Sequence, residues 1–388
     1  CNTGTDITAW VFGRQGVLRQ TARYGSSRMV PETLATTKDG RHILAFVSAE
    51  FMIGRELKKW VEMLEKYQSA DDLTDPKYEN LEYVMTPEVI RHFHAVARTW
   101  VQKFKFDRNI WKEGQDRRLH WAPIRKPEEN LQDPHWRERK TFVEVEHREL
   151  ERSISYVNAP WLSEDCPWRE GPKAPQVNEH ETTLLDEFTK SKTPRKPIPG
   201  PRSSHDPPFA IEDVRILDLA WVVAGAAGPR ILAAMGAQDI RLEWKGRYDT
   251  MRSFGGIPVG EERERVLNGE ALIPTRVGVN AGAGFAEVNP GKLSIGLNLN
   301  DPKGAELMLE LVRVSDVVVE NFTAKMLDKF GITYEDMRKV NPSIIYLQQP
   351  GFGKRGKYVE YLSSAPVGEA FSGLTEMAGM PTPYPPSG

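Results

Sequence analysis

A glycine-rich segment, Gly225-Ala-Ala-Gly228, follows an apolar stretch over 214–223 in this chain of 388 residues. The stretch is typical of a buried strand, and Pro229 favours a helix start directly after the glycines. Backbone N–H groups at a helix start attract phosphate, because a helix N-terminus carries about half a positive charge. The spacing therefore indicates a phosphate-binding turn, although the glycines could serve only to let a helix pack closely on a strand.

A dinucleotide is the competing ligand for the same segment. Glu243 lies near the end of a second strand, predicted over 239–244, where an acidic residue can bind a ribose hydroxyl. The glycines do not complete the three-glycine pattern of dinucleotide sites. The residues alone leave a phosphate ligand, a dinucleotide and a purely structural role open.

Asn321 and Phe322 follow a valine-rich segment, predicted as a strand over 316–320. Open parallel sheets bind ligands at the carboxyl ends of their strands. Lys329 follows in the chain and could pair with a phosphate group. A phenylalanine after a buried strand is more often part of the core, and a lone lysine is often simply solvated. Their value as site residues therefore depends on the fold.

Helices and strands alternate after residue 209. Helical spacing over 302–313 and 334–340 precedes apolar strands over 316–320 and 343–348. Such alternation predicts an α/β fold, namely a Rossmann-like open parallel sheet with helices on both faces.

The chain divides into three parts. Residues 1–188 contain amphipathic helices, predicted over 51–67 and 87–106. Residues 189–208 are rich in proline and small polar side chains, which predicts a stiff, exposed linker. Residues 209–388 contain the predicted parallel sheet.

The composition is that of an ordinary globular protein, with 39% hydrophobic and 27% charged residues. A net charge of −2 gives no electrostatic reason to bind nucleic acid, and no apolar run is long enough to span a membrane. Cys1 and Cys166 cannot form a disulfide framework or a cysteine-rich metal site, and His92 and His94 lack metal-ligand companions. We therefore expect a cytoplasmic protein with no metal site.

The order of the segments carries more information than any one motif. Six of them follow one another, namely 214–219, the glycine segment, 239–243, 292–297, 316–322 and Gly351-Phe-Gly353. This succession resembles the N-terminal half of the CaiB/BaiF, or class III, coenzyme A transferases. Residues 23–187 resemble the C-terminal half of the same family. That inverted order implies a fragment from the middle of a tandem fusion, with 1–188 from a first copy and 209–388 from a second.

The resemblance implies a site for coenzyme A or an acyl-CoA, as a substrate rather than a tightly bound cofactor. The coenzyme-contacting positions of the family match Val222, Val223, Leu297, Asn321, Phe322 and Lys329. Two departures put one phosphate contact in doubt, because Val223 replaces a polar residue found in some members and Trp244 replaces a basic one. Lys245 or Arg247 could supply that contact.

In the family an aspartate is the covalent nucleophile. It attacks an acyl thioester and carries coenzyme A, as an aspartyl thioester, to a carboxylic acid acceptor. The matching position would follow Gly388 in the second copy and precede Cys1 in the first, so no catalytic residue is assigned and we expect the fragment to be inactive alone. The resemblance also implies an interlocked pseudo-dimer within a longer chain, or a homodimer.

Three alternatives remain open. The family includes racemases that move the α-proton of an acyl thioester, for which a general base is needed. A duplicated copy could instead be a non-catalytic scaffold. The last alternative is a nicotinamide-dependent oxidoreductase, which would bind a nicotinamide coenzyme.

Overall fold

The computed structural model describes residues 34–45, 55–84, 86–163, 165–168, 173–190, 209–252, 280 and 282–379. The first half contains an antiparallel sheet in the order β1-β2-β3, with β1 at Leu34–Thr36, β2 at His42–Ala45 and β3 at Trp121–Pro123. Its helices are α1 (Arg55–Glu65), α2 (Leu81–Val84), α3 (Pro87–Val101), α4 (Trp111–Asp116) and α5 (Pro134–Glu138). The helices predicted over 51–67 and 87–106 correspond to α1 and α3, and residues 51–54 lie outside the described residues.

A hairpin of β4 (Phe142–His147) and β5 (Arg152–Val157) follows, and then helix α6 (Glu181–Lys190). No side chain of α6 is buried. Residues 191–208, most of the predicted linker, lie outside the described residues. No helix in the described part of the chain is long and apolar enough to cross a membrane.

The second half contains a five-stranded parallel sheet. Its strands are β6 (Arg215–Asp218), β7 (Gln238–Glu243), β8 (Leu293–Gly296), β9 (Val317–Glu320) and β10 (Ile345–Gln348). Its helices are α7 (Val222–Ala234), α8 (Ala283–Val288), α9 (Pro302–Arg313), α10 (Tyr334–Val340), α11 (Ala365–Ser372) and α12 (Leu374–Ala378). The predicted Rossmann-like parallel sheet is confirmed.

The strand order β10-β9-β6-β7-β8 has a switch point between β6 and β9. The chain leaves β6 towards one edge through β7 and β8, and returns to add β9 and β10 on the other side. A crevice opens at such a point beyond the carboxyl ends of the two strands. The segments after Asp218 and after Glu320 therefore form its walls.

The two faces of this sheet differ in chemistry. Leu217, Leu242 and Val318 lie in one apolar cluster with Met308 of α9 and Met337 of α10. The opposite face contacts α7 and carries several buried charged side chains. The first face is largely hydrophobic, whereas the second combines these charges with a smaller apolar cluster that includes Ile216 and Val319.

A second core joins the two halves of the chain. Trp111 of α4 contacts the rings of Tyr358 and Phe371 edge-on, with centroid distances of 6.1 and 5.3 Å. Polar contacts also join the two halves. The Tyr358 hydroxyl donates to Asp133 Oδ2 at 2.7 Å, and Arg125 Nη2 lies 2.6 Å from the same oxygen. Residues 352–371 thus share one hydrophobic cluster with residues 35–124.

The predicted glycine-rich turn before a helix at Pro229 is wrong. Helix α7 begins at Val222, so Gly225 and Gly228 lie within it and Pro229 is an interior residue. Proline removes one helical N–H donor, but the turns on either side continue the helix. The helix starts early because residues distant in sequence hold Trp221, which directly precedes the helix, and Val222, its first residue.

Candidate functional site

Two hydrogen bonds of Asn321, here called the asparagine clamp, join the segment after β6 to the end of β9. The Trp221 N–H donates to Asn321 Oδ1 at 2.7 Å, and Asn321 Nδ2 donates to the Trp221 carbonyl at 2.8 Å. A neutral amide has two donors and two lone pairs, so Trp221 uses one of each. The clamp fixes the segment that follows β6 against the end of β9.

The close approach of Asn321 requires glycine on the facing helix. A Cβ atom built on Gly225 would lie 2.5 Å from Asn321 Cγ and 2.8 Å from the Ala220 Cβ. At Gly228 no atom of the described residues lies within 4 Å of the same position. The two glycines therefore differ: Gly225 makes room for the clamp, whereas the described residues leave space for a side chain at Gly228.

Val222 is the first residue of α7 and has a φ of 60°. A β-branched residue rarely adopts this left-handed conformation. Its N–H donates to Asp249 Oδ2 at 3.0 Å, and its side chain is 41% exposed. Val223 is half-buried. Both valines thus lie at the mouth of the crevice.

Of the other candidates, Phe322 contacts this group directly. The ring of Phe322 meets the Trp221 ring edge-on at a centroid distance of 6.1 Å. The Leu297 N–H donates to the Glu243 carbonyl at 2.7 Å, which places Leu297 at the same sheet edge beyond β7 and β8. Lys329 is exposed in a 3₁₀ helix at Leu327–Phe330, and in the described part of the chain no hydrogen bond or ring contact links it to Trp221 or Asn321.

Arg247 provides a positive charge beside the clamp. Its guanidinium carbon lies 5.2 Å from the centroid of the Trp221 ring, a cation–π geometry. Lys245 is exposed on the same turn. Of the two basic residues considered from the sequence, Arg247 is the one held against a site residue.

The structure argues against both ligands that the sequence suggested for the glycine segment, a phosphate group and a dinucleotide. The N–H at the start of α7 already meets a carboxylate, that of Asp249, and the glycines lie further along the helix. Glu243, the candidate for a ribose hydroxyl, is buried and accepts from Arg252 Nε at 2.9 Å. Neither a phosphate turn at the glycines nor a dinucleotide site at Glu243 is therefore favoured.

Sequence reasoning missed a set of buried charges beneath α7. The register pairs Asp218 with Arg241, so these side chains lie on one face of the sheet together with Asp239 and Glu243. All four are buried. The signal was present in Asp239-Ile-Arg-Leu-Glu243, because charged residues at every second position of a strand indicate a polar face.

Ion pairs connect these charges to the walls of the crevice. Lys292 Nζ donates to Asp218 Oδ2 at 2.6 Å and to the Ala226 carbonyl of α7 at 3.0 Å. Arg241 Nη2 donates to Asp249 Oδ2 at 2.5 Å, and Arg241 Nη1 donates to the Ala220 carbonyl at 2.7 Å. The charges thus neutralise one another and anchor both the helix and the segment before it.

Asp239 is the exception within this set. Among the described residues neither of its carboxylate oxygens has a hydrogen-bond partner, and Lys292 Nζ lies 3.9 Å away. Burial, with the Asp218 carboxylate as the second cause, raises the pKa of Asp239 to about 7 from an ordinary 3.8. The folded protein therefore keeps a proton on Asp239 at a pH where the unfolded chain has released it.

This proton gives a pH dependence of stability with a defined sign. Since the pKa is raised in the folded state, the free energy of unfolding should fall as the pH rises from about 4 to about 7. Between pH 5 and pH 8 we expect Asp239 to account for a loss of roughly 2 kcal/mol, which Asp239→Asn removes. Urea unfolding at both pH values measures it. The exposed Asp213→Asn is the control, and equal slopes for the wild type and Asp239→Asn would contradict the expectation.

The described part of the chain contains no group of three or more histidine, cysteine, aspartate or glutamate side chains that could hold a metal ion. What the crevice offers is apolar surface, two aromatic rings, an amide with spare hydrogen-bonding capacity and a guanidinium at its rim. Such a set fits an elongated organic ligand that carries phosphate.

Comparison with known proteins identifies a family. The model of CoA-transferase family III matches residues 7–181 and 211–387. The acetyl-CoA:oxalate CoA-transferase of Acetobacter aceti is 33% identical over 175 residues, which are 45% of this chain and 40% of that protein. The succinate–glutarate CoA-transferase of Agrobacterium fabrum is 35% identical over 175 residues, with the same coverage.

Solved structures include a crystal structure of a CAIB/BAIF family protein from Brucella suis. It is 31% identical, covers 44% of this chain and 41% of its own, and has a TM-score of 0.37. The chain therefore spans less than half the length of the relatives named here.

Proposed function

The chain belongs to CoA-transferase family III, and from this we propose that its second half binds coenzyme A in the crevice between β6 and β9. The complete protein would move coenzyme A from an acyl-CoA donor to a carboxylic acid. One observation carries the proposal: the Asn321 clamp joins the two crevice walls on which Val222, Val223 and Phe322 lie. The two CoA-transferases named above carry oxalate, succinate and glutarate in their names.

The chemistry of coenzyme A matches what the crevice supplies. Its pantetheine chain and adenine ring would contact the valines, Leu297 and the Trp221–Phe322 pair. The spare N–H and lone pair of Asn321 could bond to the amide groups of the pantetheine chain. Arg247 would pair with a phosphate, and Lys329 is the second basic candidate. Coenzyme A would enter and leave as a substrate.

We propose the aspartyl route for the transfer itself. A carboxylate would attack the thioester carbonyl and release the coenzyme A thiolate, which would then attack the resulting mixed anhydride, release the donor acid and form an aspartyl-CoA thioester. An acceptor carboxylate would reverse these steps. Asp218 and Asp249 are buried and ion-paired, so neither suits the nucleophile. We assign no catalytic residue.

A calorimetric titration tests the ligand. We expect tighter binding of coenzyme A than of NAD, and Arg247→Ala should weaken coenzyme A binding about tenfold, or about 1.4 kcal/mol, because a charge-assisted phosphate contact is lost. Lys245→Ala is the matched control, since Lys245 is exposed on the same turn without the contact to Trp221. An equal or reversed preference between the two ligands would exclude the proposal.

We also propose the tandem arrangement, with residues 1–188 from one copy, 189–208 as linker and 209–388 from the next. The family model matches two separate stretches on either side of the linker, which supports it. The core shared by 35–124 and 352–371 is what two complementary parts of one fold would form. A cytoplasmic location and an interlocked pseudo-dimer or homodimer belong to the same proposal.

Limited proteolysis tests the linker. We expect trypsin to cut first at Lys190, Lys192 or Arg195, because Lys190 is exposed and the following residues are rich in proline. The two fragments should remain associated on gel filtration, since they share a hydrophobic core. Replacing the three basic residues with glutamine should protect the chain. Early cutting elsewhere, or separation of the fragments, would contradict the arrangement.

A further inference from the structure

Val222 stands out among the residues with a left-handed backbone. In the described ranges, the others that are not glycine are long or polar, namely Gln68, Asp71, Asn109, Arg118, Lys140, Glu151, Asn178 and Lys325. A β-branched side chain in this conformation clashes with its own backbone. Such a conformation persists only where the surrounding structure holds it.

Three groups hold Val222 in this conformation. Asn321 fixes both the N–H and the carbonyl of the preceding Trp221. Asp249 Oδ2 accepts the Val222 N–H at 3.0 Å. The Arg241 guanidinium donates to the Asp249 carboxylate that binds Val222. It also donates to the carbonyl of Ala220, the residue before Trp221. Side chains therefore bond the backbone groups of both peptide units between Ala220 and Val222.

The Arg241–Asp249 pair is built for rigidity. Both residues are 1% exposed, and Asp249 Oδ1 accepts from the Met251 N–H at 2.9 Å. The Arg241 guanidinium also lies 5.2 Å from the Phe285 ring centroid of α8. A buried ion pair is seldom the most stable filling for a core, because desolvation offsets much of the attraction. Its use for positioning a neighbour is therefore the stronger explanation.

We propose that Asp249, fixed by Arg241, is a positioning residue that keeps Val222 in a strained conformation and so presents it to the coenzyme. The inference rests on the proposed coenzyme site and deepens it. The strain keeps the Val222 side chain at the crevice mouth, where an apolar surface suits the pantetheine chain. Without the Asp249 contact the residue would relax, and that surface would move.

Glycine substitution separates strain from packing. Glycine adopts a φ near 60° without steric cost, so Val222→Gly should have a urea midpoint at or above that of the wild type. Val223→Gly is the matched control, because its backbone is not left-handed and glycine only weakens the helix, which should lower the midpoint. Val222→Gly should nevertheless weaken coenzyme A binding about tenfold, since its apolar contact and fixed geometry are lost.

A double-mutant cycle tests the link to Asp249. Asp249→Asn should lower the urea midpoint. The decrease should be smaller in the Val222→Gly background, because glycine adopts a positive φ without strain and does not need the Asp249 hydrogen bond to keep it there. No such rescue is expected in the Val223→Gly background. Asp249→Asn alone should weaken coenzyme A binding, and it should weaken it little further in the Val222→Gly background, whereas a purely structural role for Asp249 would leave the affinity of the folded single variant unchanged.

The outcomes are distinguishable. A Val222→Gly midpoint as low as that of Val223→Gly, or additive effects with Asp249→Asn, would overturn the proposal. So would a stable Val222→Gly protein that binds coenzyme A like the wild type. If Asp249→Asn does not fold, recovery of folding by Val222→Gly but not by Val223→Gly in the Asp249→Asn background supports the proposal, and failure of both to restore folding overturns it. If the wild type binds no coenzyme A, the proposed function fails, while the urea cycle still tests the strain.

Discussion

Replacing Lys292 with methionine should cause the largest loss of stability in the second half of the chain. The substitution keeps the apolar stem but removes the ammonium that lies 2.6 Å from Asp218 Oδ2. It leaves the buried carboxylates of Asp218 and Asp239 facing each other with less compensation. Breaking a buried pair in this way costs about 3–5 kcal/mol.

Urea unfolding at pH 8 and at pH 5 measures this effect. The loss should be smaller at pH 5, because protonation of the buried carboxyl groups removes part of the uncompensated charge. Lys303→Met is the control, since its pair with Glu306 is exposed and such pairs contribute at most about 1 kcal/mol. Equal losses for the two variants would mean that the buried network does not hold the sheet to α7.

Replacing Gly225 with alanine should damage both stability and coenzyme binding. The new Cβ atom would lie 2.5 Å from Asn321 Cγ and 2.8 Å from the Ala220 Cβ, so the helix or the clamp must move. Overpacking of this kind costs about 1–3 kcal/mol. We expect the affinity for coenzyme A to fall together with the urea midpoint, because Asn321 positions the crevice wall.

Gly228→Ala provides a control on the same helix. A Cβ atom there meets no atom of the described residues within 4 Å, and alanine favours a helix over glycine by about 1 kcal/mol. The control should therefore be neutral or stabilising and should bind coenzyme A normally. If Gly225→Ala behaved in the same way, the clamp would be too loose to define the site.

Local signals predicted some helices to the residue. Helix α9 spans 302–313 as predicted, because Asp301 caps it by accepting from the Lys303 N–H and Pro302 sits in its first turn. Helix α10 spans 334–340 as predicted and starts with a capping box between Thr333 and Asp336. Both starts are fixed by neighbours in sequence, so a local pattern suffices.

The start of α7 could not be predicted in that way. Its first residues are held by Asn321 and Asp249, which reach them only after β9 and β7 have paired with β6. The local proline signal at Pro229 pointed to a later start. Long-range hydrogen bonds therefore overruled a short-range propensity.

The site residues also divide into those that the sequence indicates and those that only the three-dimensional structure reveals. The resemblance to a family indicated Val222, Val223, Asn321 and Phe322, and the structure brings these residues to one crevice. Asp249 carries no motif, and the alternating charges around Arg241 indicate a polar strand face without indicating its partner. Only the strand order reveals both residues, because it sets β7 beside β6 and turns Arg241 towards Ala220.

The core shared by the two halves has a consequence for synthesis on the ribosome. Trp111 leaves the exit tunnel long before Tyr358 and Phe371, its ring partners. At ordinary translation rates the delay is roughly 10–50 seconds, during which a large aromatic surface lacks its packing partners and stays exposed to solvent. Chains in this interval are open to aggregation. We expect a nascent chain stalled before Tyr358 to recruit chaperones that a chain released after Phe371 no longer needs.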